Sequence, residues 1–94
     1  MVITVKLIGA LRHLSGRSQF QVNNKDDFSL RHLIEKMSQE MTNLKSILSD
    51  QDLNDSNSNS LILINGIEIS VLNGFETKLC DGDEIVFVPV VHGG

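Results

Sequence analysis

The sequence predicts an α+β domain of two layers, with one main helix lying across one face of a β-sheet of four to five strands. Three observations predict it. Near the N-terminus apolar residues alternate with polar ones, at Ile3, Val5 and Leu7 and again at Phe20 and Val22. Between Leu30 and Leu44 the apolar period changes from two to about 3.6, the repeat of a helix with one apolar stripe. From Leu61 onward short apolar runs return, separated by turn pairs, and read as strands. A helix placed between strands in this order can bury its stripe only against the sheet.

Each element follows from its local pattern. Val2–Ile8 is a half-buried strand with Ile3, Val5 and Leu7 on one face and Thr4 and Lys6 on the other. Gly9 and the segment through Gly16 and Arg17 supply turn chemistry. Ser18–Val22 then alternates again, Phe20 and Val22 inward, Gln19 and Gln21 outward, to complete an opening hairpin. Asn23–Asp27 is a polar break. Ser29 suits an N-cap, and Phe28 before it is placed to staple onto Leu33. The stripe of Leu30, Leu33, Ile34, Met37, Met41 and Leu44 predicts a helix from Leu30 to about Glu40, with Thr42 and Asn43 leaving its extension to Leu48 open. Ser49–Ser60 is nearly devoid of apolar residues and reads as a solvated loop within a single domain spanning 1–94. Leu61–Ile64 is closed by the turn pair Asn65-Gly66, so that Ile67–Val71 folds back as a short strand. Asn73-Gly74 marks a further turn. Asp81-Gly82-Asp83 turns the chain into Glu84–Val91, the most hydrophobic strand, where Pro89 lacks an N–H and loosens the pairing. A flexible tail, His92-Gly93-Gly94, follows.

Composition excludes several functional classes. Ninety-four residues leave little room for both a core and a deep catalytic pocket. With no Trp and no Tyr the core is aliphatic with a few Phe. A net charge of −4 argues against direct binding of nucleic acid, which needs clustered Lys and Arg; an acidic carrier docking on more basic partners fits better. Cys80 is the only cysteine, so no internal disulfide can form, in keeping with a reducing compartment. Lys6 interrupts the first apolar run, which reads as a strand rather than a signal peptide, and no run is long enough to span a membrane. A soluble, cytoplasmic protein without membrane contact is expected.

A search for catalytic constellations finds no P-loop, dinucleotide fingerprint, nucleophile elbow or paired-cysteine metal motif. No catalytic residue and no metal site are expected. His13, His32 and His92 lack metal-ligand spacing, and His32, near the helix start, reads as solvated or partly buried. Asp81 and Asp83 flank a glycine, where turn formation by their side chains outweighs an acid–base role. Cys80 reads as a small, partly buried hydrophobe, and Met37 and Met41 as core. What remains is the terminal Gly93-Gly94 directly after a hydrophobic strand. A narrow channel admits an extended backbone most readily where no Cβ is present. A C-terminal carboxylate presented there can attack the α-phosphate of ATP to give an acyl-adenylate, from which sulfur or an amine displaces AMP. Val91, His92, Gly93 and Gly94 would then enter an activating enzyme, and Gly94 would carry the adenylate, thiocarboxylate or isopeptide. The carrier needs no stably bound cofactor; ATP is consumed by the enzyme.

Alternation in the last strand separates Ile85 and Phe87 from Val86, Val88 and Val90. Phe87, the largest of these side chains, is expected to face the helix together with Ile85. Val86, Val88 and Val90 then lie on the open face beside Leu61 and Leu63, and such an apolar patch is a candidate partner-docking surface.

The succession of hairpin, helix, Leu61-Ile-Leu-Ile-Asn65-Gly66, Leu79-x-Asp81-Gly82-Asp83-Glu84-Ile85, Phe87 and terminal Gly-Gly resembles the ubiquitin-like sulfur carriers. These include the small subunit of molybdopterin synthase, the thiamine-pathway sulfur carrier, the ubiquitin-related modifier and the small archaeal modifier proteins. The resemblance implies a ubiquitin-like β-grasp fold with a mixed sheet. Leu63-Ile64-Asn65 and His92-Gly93-Gly94 look most like the ubiquitin-related modifier. The Asp81–Ile85 turn and Pro89 look more like molybdopterin synthase small subunits, although Val90 and His92 stand where those carry a second proline and a serine. By this resemblance Gly94 is adenylated by an activating enzyme and either thiocarboxylated with sulfur from a donor, for tRNA thiolation, or joined to lysines of target proteins. Service as the small subunit of molybdopterin synthase, beside its large subunit, ranks second. A ubiquitin-like interaction module with an inert tail ranks third.

Overall fold

The computed structural model describes residues 1–40 and 60–89. Strand β1 spans Val2–Leu7, helix α1 Ala10–Ser15, β2 Gln19–Asn23, α2 Leu30–Glu40, β3 Ser60–Ile64, β4 Ile67–Glu68 and β5 Glu84–Pro89. The five strands form one sheet in the order β2-β1-β5-β3-β4. β1 and β5, at its centre, run parallel with Val5 opposite Ile85 and Leu7 opposite Phe87. The β1–β2, β3–β5 and β3–β4 pairs are antiparallel, which makes the sheet mixed.

The core lies between one face of this sheet and α2. Ile3, Val5 and Leu7 from β1, Ile62 and Ile64 from β3, and Ile85 and Phe87 from β5 are buried on it. Leu30, Leu33, Ile34 and Met37 of α2 close over them. Each such side chain contributes roughly 1.5–3 kcal/mol by leaving water. The N-terminus of α2 is capped by Ser29, whose Oγ accepts from the His32 N–H at 3.4 Å, while His32 Nδ1 lies 3.3 Å from the same hydroxyl. Phe28 is buried in the cluster that holds Leu33. Met41, Leu44 and most of the 49–60 loop lie outside the described residues; Ser60 itself already pairs with Pro89 as the first residue of β3.

Three expectations are corrected. The β1–β2 connection is not a plain turn but contains α1, whose Leu11 is fully buried. Six residues cannot hold a helix on propensity; anchoring of Leu11 in the core does so, and the Gly16 N–H closes the helix on Arg12 O at 2.9 Å. The strand expected over Ile67–Val71 stops at Glu68. There the Glu68 carboxylate accepts from the Ser70 N–H and hydroxyl and winds Ile69–Val71 into a 3-10 turn that drives Ile69 into the core. Cys80 is exposed rather than partly buried: Leu79 takes the inward position, and the Cys80 N–H donates outside the core to Asp83 Oδ2 at 2.7 Å.

The expected Asn65-Gly66 turn is present. Both residues have positive φ, 52° and 84°, as a two-residue hairpin turn of the primed type requires. The Asp-Gly-Asp turn locks onto it. Asn65 Nδ2 donates to Asp83 Oδ1 at 2.8 Å, and Asn65 Oδ1 accepts from the Glu84 N–H at 3.0 Å. Asp81 Oδ1 accepts from the Val2 N–H at 2.7 Å. Asp83, whose Oδ2 holds the Cys80 N–H, has the turn-forming role read from the sequence, whereas Asp81 instead ties the turn to the start of β1.

Candidate functional site

The sheet face turned away from α2 has two halves. On β1 and β2 it presents Thr4, Lys6, Gln19 and Gln21, with Thr4 opposite Gln21 and Lys6 opposite Gln19. On β3 and β5 it presents Leu61 opposite Val88 and Leu63 opposite Val86. Burial alternates along β5, with Ile85 and Phe87 inaccessible and Glu84, Val86, Val88 and Pro89 partly exposed. β3 matches it, with Leu61 and Leu63 partly exposed between buried Ile62 and Ile64. Four branched side chains from two adjacent strands thus form one apolar patch. Its border toward β1 is a charge pair, Lys6 Nζ to Glu84 Oε2 at 3.3 Å with both side chains partly exposed, and such a pair contributes little to stability.

The end of β5 fixes where the chain leaves the sheet. The Ile8 N–H donates to Phe87 O at 3.3 Å, the last bond described between these two neighbouring segments. Beyond it Pro89 has no N–H to offer. The Pro89 ring instead lies against Gly9, where a built Cβ would stand 3.1 Å from Pro89 Cγ and where φ is +63°. Gly9 is therefore the residue that lets the root of the tail pack against the start of α1, a role that sequence reading reduced to turn chemistry. Val90 of the expected patch, and Val91, His92, Gly93 and Gly94 of the expected reactive tail, lie outside the described residues.

Other sequence candidates are dispersed. His13 and His32 sit exposed on different helices. Among the described residues no group of three or more His, Cys, Asp or Glu side chains is placed to hold a metal ion. No described helix is long and apolar enough to cross a membrane.

Comparison with known proteins agrees with this architecture. The ThiS family profile matches residues 5–94. The small archaeal modifier protein 1 (SAMP1) of Methanosarcina acetivorans is 28% identical, with 99% of this chain and 96% of that chain covered at a TM-score of 0.80. SAMP1 from Haloferax volcanii covers both chains completely at 20% identity and a TM-score of 0.80. A chain of the protein–protein complex of subunits 1 and 2 of molybdopterin-converting factor from Helicobacter pylori 26695 matches over its whole length at 23% identity and a TM-score of 0.61. No curated protein sequence matches. With a β-grasp sheet, one main helix across it and a family match that reaches from the first strand to Gly94, the chain belongs to the ThiS family, among the ubiquitin-like sulfur carriers and modifiers.

Proposed function

We propose that this protein is a carrier activated at the carboxylate of Gly94. A partner enzyme adenylates that carboxylate with ATP, and the adenylate is converted to a thiocarboxylate or joined to a lysine of a target protein. The observation that carries this reading is the family match extending through Gly93-Gly94, combined with a described fold in which Asp81, Asp83, Asn65 and Ser29 hold backbone, a turn and a helix cap. The carrier supplies a carboxylate and a docking face; the partner supplies the catalytic groups and the ATP site. Leu61, Leu63, Val86 and Val88, together with Val90, form the docking face. Val91, His92 and Gly93 thread the terminal carboxylate into the enzyme.

The 28% identity to an archaeal modifier over nearly the whole chain supports the modifier branch. A second reading, as the small subunit of a two-subunit molybdopterin synthase, is favoured by the Asp81-Gly82-Asp83 turn and by Pro89 at the end of β5. Both readings use the same carboxylate. ATP–pyrophosphate exchange with the adenylating enzyme of the same genome tests what they share. Exchange should depend on this protein and disappear when Gly94 is deleted. Undiminished exchange with the deleted form would overturn the proposal.

A further inference from the structure

Charge is distributed unevenly along this acidic chain. Residues 1–25 contain Lys6, Arg12, Arg17 and Lys25 and no carboxylate; residues 26–94 contain the other four cations and all twelve carboxylates. Because β1 and β5 run parallel, both begin at one end of the molecule and finish at the other. The beginning is acidic: Asp81 binds the Val2 N–H, Asp83 binds Asn65 and the Cys80 N–H, and Glu84 opens β5. Lys25 also lies there, one residue beyond Asn24, whose N–H donates to Met1 O.

Among the described residues the finishing end is basic. There α1 packs beside β5, with Gly9 against Pro89 at the root of the tail. Arg12, His13 and Arg17 are all exposed at this end, and Arg12, His13, Gly16 and Ser18 line one shallow depression. Lys6 and Arg31 are paired with Glu84 and Glu76, whereas neither Arg12 nor Arg17 pairs with a carboxylate among the described residues. Among the described residues, a protein with an excess of carboxylates thus leaves two guanidiniums without a carboxylate partner near Pro89, with the His13 imidazole beside Arg12.

We propose that Arg12, His13 and Arg17 form a second docking surface, which engages an acidic rim around the channel that receives the residues following Pro89 in the partner protein. The inference rests on the proposed activation of Gly94 and adds the chemistry that orients it. The apolar patch supplies contact area, while charges facing opposite charges set the approach and the register. Nucleic acid fits this pole less well, because two guanidiniums on a chain of net charge −4 neutralise few phosphates.

The test is adenylation kinetics by ATP–pyrophosphate exchange with the adenylating enzyme of the same genome, at low and high salt. Arg12→Glu/Arg17→Glu is compared with Lys25→Glu/Lys78→Glu, which changes net charge equally at other exposed positions. The first double variant should raise KM about tenfold at low salt, with kcat kept and the difference shrinking as salt screens the contact. The second should stay near wild type. Equal KM for both double variants, or normal adenylation with a loss of binding to bulk tRNA in the first alone, would overturn the proposal. If the wild-type protein itself supports no exchange, the activation of Gly94 has failed rather than this surface. Arg12→Gln/Arg17→Gln should give an intermediate KM, and thermal melts check that every variant is folded.

Discussion

Val88 and Phe87 are neighbours in sequence with opposite environments, and they make the sharpest contrast at the scale of single residues. Phe87 is inaccessible beneath α2, so Phe87→Ala should cost about 3–5 kcal/mol. Val88 stands on the open face opposite Leu61, so Val88→Asp leaves its charge in water and costs the isolated protein little. Inside a desolvated contact the same carboxylate would be unpaired, at a cost of several kcal/mol. Thermal melting beside titration with the activating enzyme checks the pair: Phe87→Ala should lower the melting temperature, and Val88→Asp should weaken binding while melting near wild type. A large loss of stability in Val88→Asp with binding retained would remove Val88 from the docking face. Cys80→Ser should change neither stability nor C-terminal thiocarboxylation, because the thiol is exposed and the proposed sulfur site is the Gly94 carbonyl. A persulfide on Cys80 that proved necessary for transfer would contradict that prediction, and thiol-specific labelling with mass spectrometry would detect it.

At the scale of elements, α1 depends on one side chain. Leu11→Ala should cost about 2–5 kcal/mol, since Leu11 is fully buried and α1 is too short to persist alone. Denaturant unfolding measures the loss. An effect no larger than that of a surface substitution would show that α1 does not rest on the core. The same element shows where legibility ended. The helix over Leu30–Glu40 announced itself because Leu30, Leu33, Ile34 and Met37 repeat over about two turns, β1 because its alternation runs for six residues, and β5 because an apolar run follows the Asp-Gly-Asp turn. α1 has a single buried position, so no period exists to be read, and its two glycines resembled turn residues. β4 was overextended for a related reason. Ile67-Glu68-Ile69 alternates like a strand, but the Glu68 carboxylate captures the Ser70 N–H and hydroxyl and ends it, a local competition that periodicity does not register.

The whole molecule divides its functions between faces and ends. One sheet face with α2 holds the fold, and the other presents Leu61, Leu63, Val86 and Val88. The start of β5 is tied down by aspartates, and its end, at Pro89, delivers the chain beside an exposed basic pole. The division of β5 into inward Phe87 and outward Val88 was legible from alternation together with side-chain size. The basic pole was not, because reading the net charge as one number concealed that the first 25 residues carry no carboxylate. Intact and fragment mass spectrometry after incubation with ATP, a sulfur donor and the activating enzyme tests the central claim most directly. The account predicts that one oxygen of the Gly94 carboxylate is replaced by sulfur, and that a chain ending at His92 receives no such change. Sulfur found elsewhere on the chain, or acquired equally by the shortened form, would contradict it.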